Sequence, residues 1–426
     1  MPPPARDFSP WWVVTLAGAC AGFFRSPNQG VDMGLHAARL SLCAATFLAV
    51  LAAGCGGGGG GSPAAPPPPG PSPVGWGVFP DAVRVIGKQN FDDGSASDGT
   101  APGELNLPGG SPAVSSDGTL FVAQTQASRM KAFKQYMAAD GPDAAFTFTV
   151  DSGVVASASI HAGKLVVVED HLVAIYDSVP TAPPEAGPAR VAGGTSGCSA
   201  SQLNNPEAAY ITPRGQLIVA DSRNHRVLIW NSLGTDLQLG NADVVVGQKD
   251  KDTCAANDVD GNDTTDDASA ATLNRPTSVW SDGVKLIVVD SLNHRVLVWE
   301  KLPTTDFEAA DHVIGQVNPG DSLPNAGLPA VTASTLFLPK SVDVSETGQM
   351  AVADQQNHRV LVWNTIPAAS NVPADQVLGQ PDLHSGGRVA ASIKTFNEPS
   401  GVRFDGRNMV VVDVSNYRVL VFRARD

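Results

Sequence analysis

Three histidines, His225, His294 and His358, stand in the same local phrase, Asp-x-x-Asn-His-Arg. Imidazole beside carboxylate is the usual material of zinc sites and of proton transfer near neutral pH. Zinc would need three or four ligands converging on one point, at roughly 2.0–2.1 Å from the ion. These histidines belong instead to separate copies of one phrase, and other copies carry Tyr417 or Ser128 at the same place. Such exchange points to turn and packing roles rather than to ligation. A second cluster, Asp258, Asp260, Asn262 and Asp263, followed by Asp266 and Asp267, places oxygen atoms at alternate positions around Gly261. That resembles a calcium loop, but the glycine comes too early for EF-hand spacing. The segment reads first as a solvated acidic loop, with calcium as the cofactor it could take. Among catalytic signatures, the chain has no Gly-x-Ser-x-Gly elbow, no His-Glu-x-x-His pair and no phosphate-cradling loop.

The histidine phrase is the middle of a longer repeat: IVADSRNHRVLIWNSLGT (218–235), IVVDSLNHRVLVWEKLPT (287–304), AVADQQNHRVLVWNTIPA (351–368) and VVVDVSNYRVLVFRARD (410–426). Weaker copies read FVAQTQASRMKAFKQY (121–136) and VVVEDHLVAIYDS (166–178). Each copy is two runs of β-branched residues, apolar at nearly every position, as strands buried on both faces require. Between the runs the chain must reverse. Asp221, Asp290, Asp354 and Asp413 are placed to accept turn N–H groups, and Asn224, Asn293, Asn357 and Asn416 to take the left-handed backbone of a tight hairpin. Arg226, Arg295, Arg359 and Arg418 follow within reach of the aspartate of their own copy or of the next.

Two more phrases recur. Upstream stands Leu-Asn-x-Pro or a variant (Leu105 to Pro108, Leu203 to Pro206, Leu273 to Pro276, Leu336 to Pro339, Phe396 to Pro399), and downstream Val-Ile-Gly-Gln or a variant at 245–248, 313–316 and 377–380. One unit is therefore four short antiparallel strands, and such units bury their flat faces only by stacking. On these phrases the stretch from about 82 to 426 resembles the NHL-repeat family of β-propellers. The resemblance implies an all-β fold, a six-bladed propeller of four-stranded antiparallel blades. Ala82 to Gly87 repeats the fourth-strand phrase with no unit before it, and the last unit lacks a fourth strand, so the N-terminal strand (about 82–87) is expected to complete the last blade. Equivalent positions are 45 to 69 residues apart, so loops absorb the difference. The Asp/Asn/His/Arg turns and the links between units should emerge on one face, where binding is expected. Glu207 and Asp343, at the start of innermost strands, would line a water-filled axis.

Function follows less directly, because the family includes lyases, lactonase-like hydrolases, nucleic-acid binders and interaction platforms. Its amidating lyases hold zinc through histidines and react at an arginine and a tyrosine, but those positions do not map onto this chain. Residues 33–54 read as a signal peptide ending in Leu-Ala-Ala-Gly before Cys55, similar to a bacterial lipobox, with Cys55 as the lipidation site; an ordinary secretory signal is the other reading. Residues 1–32 then read as a misannotated extension ahead of Met33, residues 55–80 as a Gly/Pro-rich tether, and 81–426 as the propeller. Cys198 and Cys254 are left in successive long loops, as a disulfide in an oxidising compartment or as free thiols. A net charge of −14 and the lack of basic clusters exclude nucleic acid as a partner. The expected protein is a monomeric, exported lipoprotein of the outer membrane or periplasmic face, alternatively secreted, touching the membrane only through its lipid. It would act as a binding or scaffolding module for a protein or glycan of the cell envelope. The alternative is a metal-dependent lyase or lactonase-like hydrolase with its site near the central channel.

Overall fold

The computed structural model describes residues 73–150 and 153–425. Within them the strands form six four-stranded antiparallel sheets, each in simple up-and-down order except the last. Blade 1 is Pro108–Val114, Leu120–Gln124, Arg129–Phe133 and Phe146–Thr149; blade 2 is Val155–His161, Lys164–Glu169, Leu172–Tyr176 and Arg190–Gly193. Blade 3 is Ala208–Ile211, Leu217–Asp221, Arg226–Trp230 and Val244–Val246; blade 4 is Pro276–Ser281, Leu286–Asp290, Arg295–Trp299 and His312–Ile314. Blade 5 is Pro339–Val344, Met350–Asp354, Arg359–Trp363 and Gln376–Leu378; blade 6 is Pro399–Asp405, Asn408–Asp413, Arg418–Arg423 and, from the other end of the chain, Arg84–Ile86. Arg84 pairs with Val421 and Ile86 with Val419, so the expected closure is present. The first strand of every blade packs on the first strand of the next, and that of blade 6 on that of blade 1, closing a ring around an axis.

The continuous apolar runs follow from this stacking. In blade 3, Leu217, Val219, Leu228 and Trp230 face blade 2, while the alternate residues Ile218, Ala220, Val227 and Ile229 face blade 4. Both faces of the middle strands are core, so neither position of the two-residue period can be polar.

At the end of each middle hairpin lies a buried ionic clasp. Asp290 Oδ2 accepts from Arg295 Nε at 2.7 Å and from Asn293 Nδ2 at 2.8 Å, and its Oδ1 accepts the backbone N–H of Asn274 at 2.6 Å. Arg295 Nη2 donates to the carbonyls of Ser269 (2.8 Å) and Thr272 (2.9 Å), and Nη1 to that of Pro319. The guanidinium thus ties the loop before the blade to the loop after it. Asp221/Arg226, Asp354/Arg359 and Asp413/Arg418 repeat the arrangement with all eight side chains at 0% exposure. In blade 6 the downstream carbonyl belongs to Phe91, so the same device seals the ring. Desolvation pushes each of these carboxyls up, and the guanidinium, the backbone N–H and the asparagine amide oppose it.

Two expectations about the turns are corrected here. The aspartates do not accept turn N–H groups; they reach back to the N–H of the Leu-Asn phrase, or of Phe337 in blade 5. Nor are the asparagines left-handed. Each lies in a 3-10 turn with its amide held by the aspartate, and the left-handed residue is the next one: His225 (φ 53°), His294 (54°), His358 (52°) and Tyr417 (54°). The asparagine is needed for its buried hydrogen bond, so the backbone reverses one residue later.

The globular fold also takes in residues 74–80 of the Gly/Pro-rich stretch that reads as a tether. Trp76 is fully buried against Phe404 in the core of blades 5 and 6. Gly75 forms a β-bridge to Arg425, Trp76 N–H donates to Gln376 Oε1 (2.8 Å) and Gln349 Nε2 to the Val74 carbonyl (2.9 Å). The large apolar indole explains why this stretch leaves the solvent.

Truncating one partner of a clasp leaves the other charged and buried, a loss of about 3–5 kcal/mol. Arg295→Leu should therefore move the urea midpoint far below wild type, while Arg388→Leu, in an exposed loop, leaves it in place. Equal midpoints for the two variants would show that the clasp does not hold the blades.

Candidate functional site

The first strands converge so tightly that side chains become obstacles. A methyl group on Gly401 would collide with the Gly110 carbonyl, and one on Gly110 with that of Ala156. Small polar residues fill the layer and stitch neighbouring strands: Ser157 Oγ donates to the Glu207 carbonyl (2.8 Å), Thr277 Oγ1 to that of Lys340 (2.9 Å), and Ser341 Oγ accepts from Val402 N–H (3.2 Å). Below this layer the axis narrows to a cavity of 20 Å³ bounded by Tyr210, Asp343 and Arg403. The axis is thus narrow at the level of Asp343 and wide at the level of Glu207, so of the two acids expected to line it only Glu207 faces a roomy cavity. Asp343 does not solvate a channel. It is almost wholly buried, bound to Arg403 Nη1 at 3.2 Å and to Phe404 N–H at 2.7 Å, and desolvation pushes its carboxyl up against the pull of that guanidinium. Near it the rings of His161 and Tyr210 lie 3.7 Å apart, and burial together with Arg403 holds His161 down to about 3.

Above the stitched layer the axis opens into a cavity of 280 Å³ on the face that carries the aspartate turns. Its wall is built by an irregularity repeated in the first strands. Pairing skips a residue between Val155 and Ser157, Pro276 and Ser278, Pro339 and Ser341, and Pro399 and Gly401. A bulge turns the skipped side chain out of the sheet. Ala156, Thr277, Lys340 and Ser400 are thereby aimed at the mouth, where Gly110 and Glu207 complete the ring. Glu207 is the charged centre. Its Oε2 lies 3.1 Å from Lys340 Nζ of blade 5, and its Oε1 lies 3.6 Å from Arg275 Nη2 at the entry to blade 4. Arg223 reaches the same cavity from the blade 3 turn, and Glu169 and Asp170 from blade 2. The mouth can therefore hold ligands that combine anionic and hydroxyl groups. Of this set only Glu207 was anticipated. For Thr277, Lys340 and Ser400 the signal was the residue after the proline of the Leu-Asn-x-Pro phrase, which changes from copy to copy while its neighbours repeat.

The repeated histidines do not converge. Each Nδ1 accepts a backbone N–H from the entry of the following blade: Arg275 to His225, Leu338 to His294 and Glu398 to His358, all at 3.1 Å. His171 makes the longer version in blade 2, 3.5 Å from Asn205 N. These imidazoles are interblade acceptors, and desolvation lowers His225, His294 and His358, His294 to about 4.

In the acidic loop, Asp258, Asp260 and Asp266 bring one oxygen each within 4.8 Å of one another, the one group of this kind among the described residues. Asn262 and Asp263 are not in that set. Asp258 already accepts the N–H groups of Gly261, Asn262 and Asp263, Asp260 that of Asn262, and Asp266 that of Val259. Asp263 itself accepts the Cys254 N–H. Cys198 and Cys254 form a disulfide with a Cα–Cα separation of 6.2 Å, joining the loops on either side of blade 3. Cys55 and the leader lie outside the described residues.

The family model of the NHL repeat matches residues 203–230, from the Leu-Asn phrase to the end of the hairpin in blade 3. No curated protein matches the sequence. Among solved structures, the WD40 beta propeller domain of Doa1 is similar, at 12% identity and a TM-score of 0.45, over 84% of this chain and 97% of that one.

Burial lowers His294 from 6.5 to about 4 in the folded state, which keeps its Nδ1 unprotonated to accept from Leu338. A depressed imidazole binds fewer protons folded than unfolded, so its contribution is full above pH 6.5 and drains away as pH falls to 4. A ¹H–¹⁵N NMR titration should show His294 still neutral at pH 5. Half-protonation near 6.5 would mean that the interblade bond is not formed.

Proposed function

We propose that this chain is an exported, lipid-anchored propeller that serves as a binding module, presenting its turn face to a protein or glycan partner in the cell envelope. The observation that carries the reading is the axial mouth. First-strand entry residues that differ from blade to blade, Ala156, Glu207, Thr277, Lys340 and Ser400, line one 280 Å³ cavity, whereas the turn residues that repeat are consumed in the clasps. Repetition serves the scaffold, and variation at a shared opening serves recognition.

Export draws support from the disulfide between Cys198 and Cys254, a bond that persists in oxidising compartments. It also fits the leader pattern of residues 33–54 ahead of Cys55. The chain joins blade 6 through Gly75 and Arg425, at the end opposite the Asp413–Arg418 turn, which suits an anchor that keeps the turn face free.

In cells given radiolabelled palmitate the protein should take up label and Cys55→Ser should not. A photo-crosslinker in place of Arg223, at the mouth, should capture one saturable envelope partner. The same group in place of Leu237, in the exposed loop after the blade 3 hairpin, should capture none. Unlabelled wild-type protein with Cys198 and Cys254 both open to alkylation would contradict export, and equal capture at the two sites would contradict recognition at the mouth.

A further inference from the structure

The pair Glu207–Lys340 differs from the other ion pairs along the blades. The clasps are sealed from water, but here Lys340 is 28% exposed, Glu207 26% and Arg275 41%. Half-exposed pairs of long side chains gain little, because water screens them and both chains must be immobilised. Besides the two cations, the Glu207 carboxylate accepts a long hydrogen bond from Ser222 Oγ, at 3.4 Å. Lys340 and Glu207 sit on bulged or entry positions whose counterparts in other blades are Gly110, Ala156, Thr277 and Ser400. Two cations from different blades therefore hold a carboxylate at the floor of a solvent-open cavity, and that carboxylate hangs on a flexible side chain. A second observation lies across the same mouth. Ser400 Oγ is buried, lines the cavity and has no hydrogen-bond partner among the described residues. A buried hydroxyl left unpaired is unfavourable by itself, and a ligand hydroxyl would satisfy it.

We propose that the axial mouth binds a small hydroxylated carboxylic acid of sugar-acid size, its carboxylate taking the place of the Glu207 carboxylate between Lys340 and Arg275. The proposal rests on the binding-module reading above and names the ligand class for that face. The ligand carboxylate exchanges one salt-bridge partner for another, so Lys340 and Arg275 stay neutralised. Glu207, released, becomes an acceptor for a ligand hydroxyl, and Ser400 donates to or accepts from another. A singly charged carboxylate is favoured over a phosphate dianion because Glu169, Asp170 and Glu207 offset the three cations of the cavity wall, Lys340, Arg275 and Arg223. The volume of 280 Å³ has room for a monosaccharide acid.

The test is isothermal titration of the purified full chain with D-glucuronate, with D-glucose and inorganic phosphate as comparison probes. Glucuronate should bind saturably, glucose at least tenfold more weakly for want of the carboxylate, and phosphate no better than glucose. Lys340→Met should weaken glucuronate at least tenfold. Glu207→Gln should strengthen it several-fold, since the internal competitor is gone, which a merely structural role for Glu207 would not produce. Both variants should keep the wild-type melting temperature, as the exposed pair adds little to stability. No saturable glucuronate binding by either wild type or Glu207→Gln would overturn the proposal. So would binding unaltered in Lys340→Met, or phosphate binding as tightly as glucuronate. The palmitate labelling described above reads out independently, so failure of export and failure of this site are distinguishable.

Discussion

A carboxylate and a guanidinium, both cut off from water at the end of a hairpin, are the constraint on which this propeller depends. Isolated, either ion would be intolerable in that position. Together, with an asparagine amide, one backbone N–H and the carbonyls of two loops, every polar atom of the group finds a partner. The geometry is demanding, and that is its use: the loop before the blade, the hairpin and the loop after it must all be in place at once. The left-handed histidine that follows extends the constraint outward, since its carbonyl takes the Gln316 amide and its Nδ1 takes the N–H of the next blade. Neighbouring blades are thereby registered by hydrogen bonds as well as by apolar packing.

Because the clasp grips carbonyls rather than side chains, the loops it holds are free to vary in length and composition. Blades 1 and 2 show how far the device can be altered. In blade 1, Gln124 replaces the aspartate and accepts the Asn106 N–H, while Lys131, two residues beyond the arginine position, donates to the carbonyls of Gly99, Ala101, Pro102 and Glu104. Desolvation lowers the ammonium of Lys131, and the four carbonyls hold it in place. Blade 2 keeps a carboxylate, Glu169, in a shortened turn without the arginine. These two blades also contribute the smallest side chains to the mouth, Gly110 and Ala156, so the charged groups of the cavity come from blades 2 to 5 and its floor is lopsided.

Most of the architecture was legible in the chain. Asp-x-x-Asn-His-Arg repeated at matching offsets gave the hairpins, the doubly apolar runs gave the stacking, and the orphan phrase at Ala82–Gly87 gave the closure. What escaped was whatever depends on two blades at once. That His294 is left-handed and Asn293 is not cannot be read from propensity, since asparagine is the commoner left-handed residue; its buried bond to Asp290 decides the matter. Trp76 looked like part of a flexible Gly/Pro stretch because its burial requires the far end of the chain. Lys340 and Ser400 were overlooked because the varying residue after the phrase proline acquires its meaning only from the bulge that turns it toward the axis. How tightly neighbouring first strands pack, as Gly110 and Gly401 do, is likewise something no single copy of the repeat reveals.

The claim beneath all of this is that the clasps open only when the propeller itself unfolds, and native-state hydrogen exchange at one backbone amide addresses it most directly. The N–H of Asn274, bonded to Asp290 Oδ1 at 2.6 Å, lies outside any strand. If the account is right, it exchanges as slowly as the central-strand amide of Val288, through global unfolding alone. Exchange at the rate of the acidic loop around Asp260 would show that the clasp breathes independently and that the blades are held by apolar packing without it.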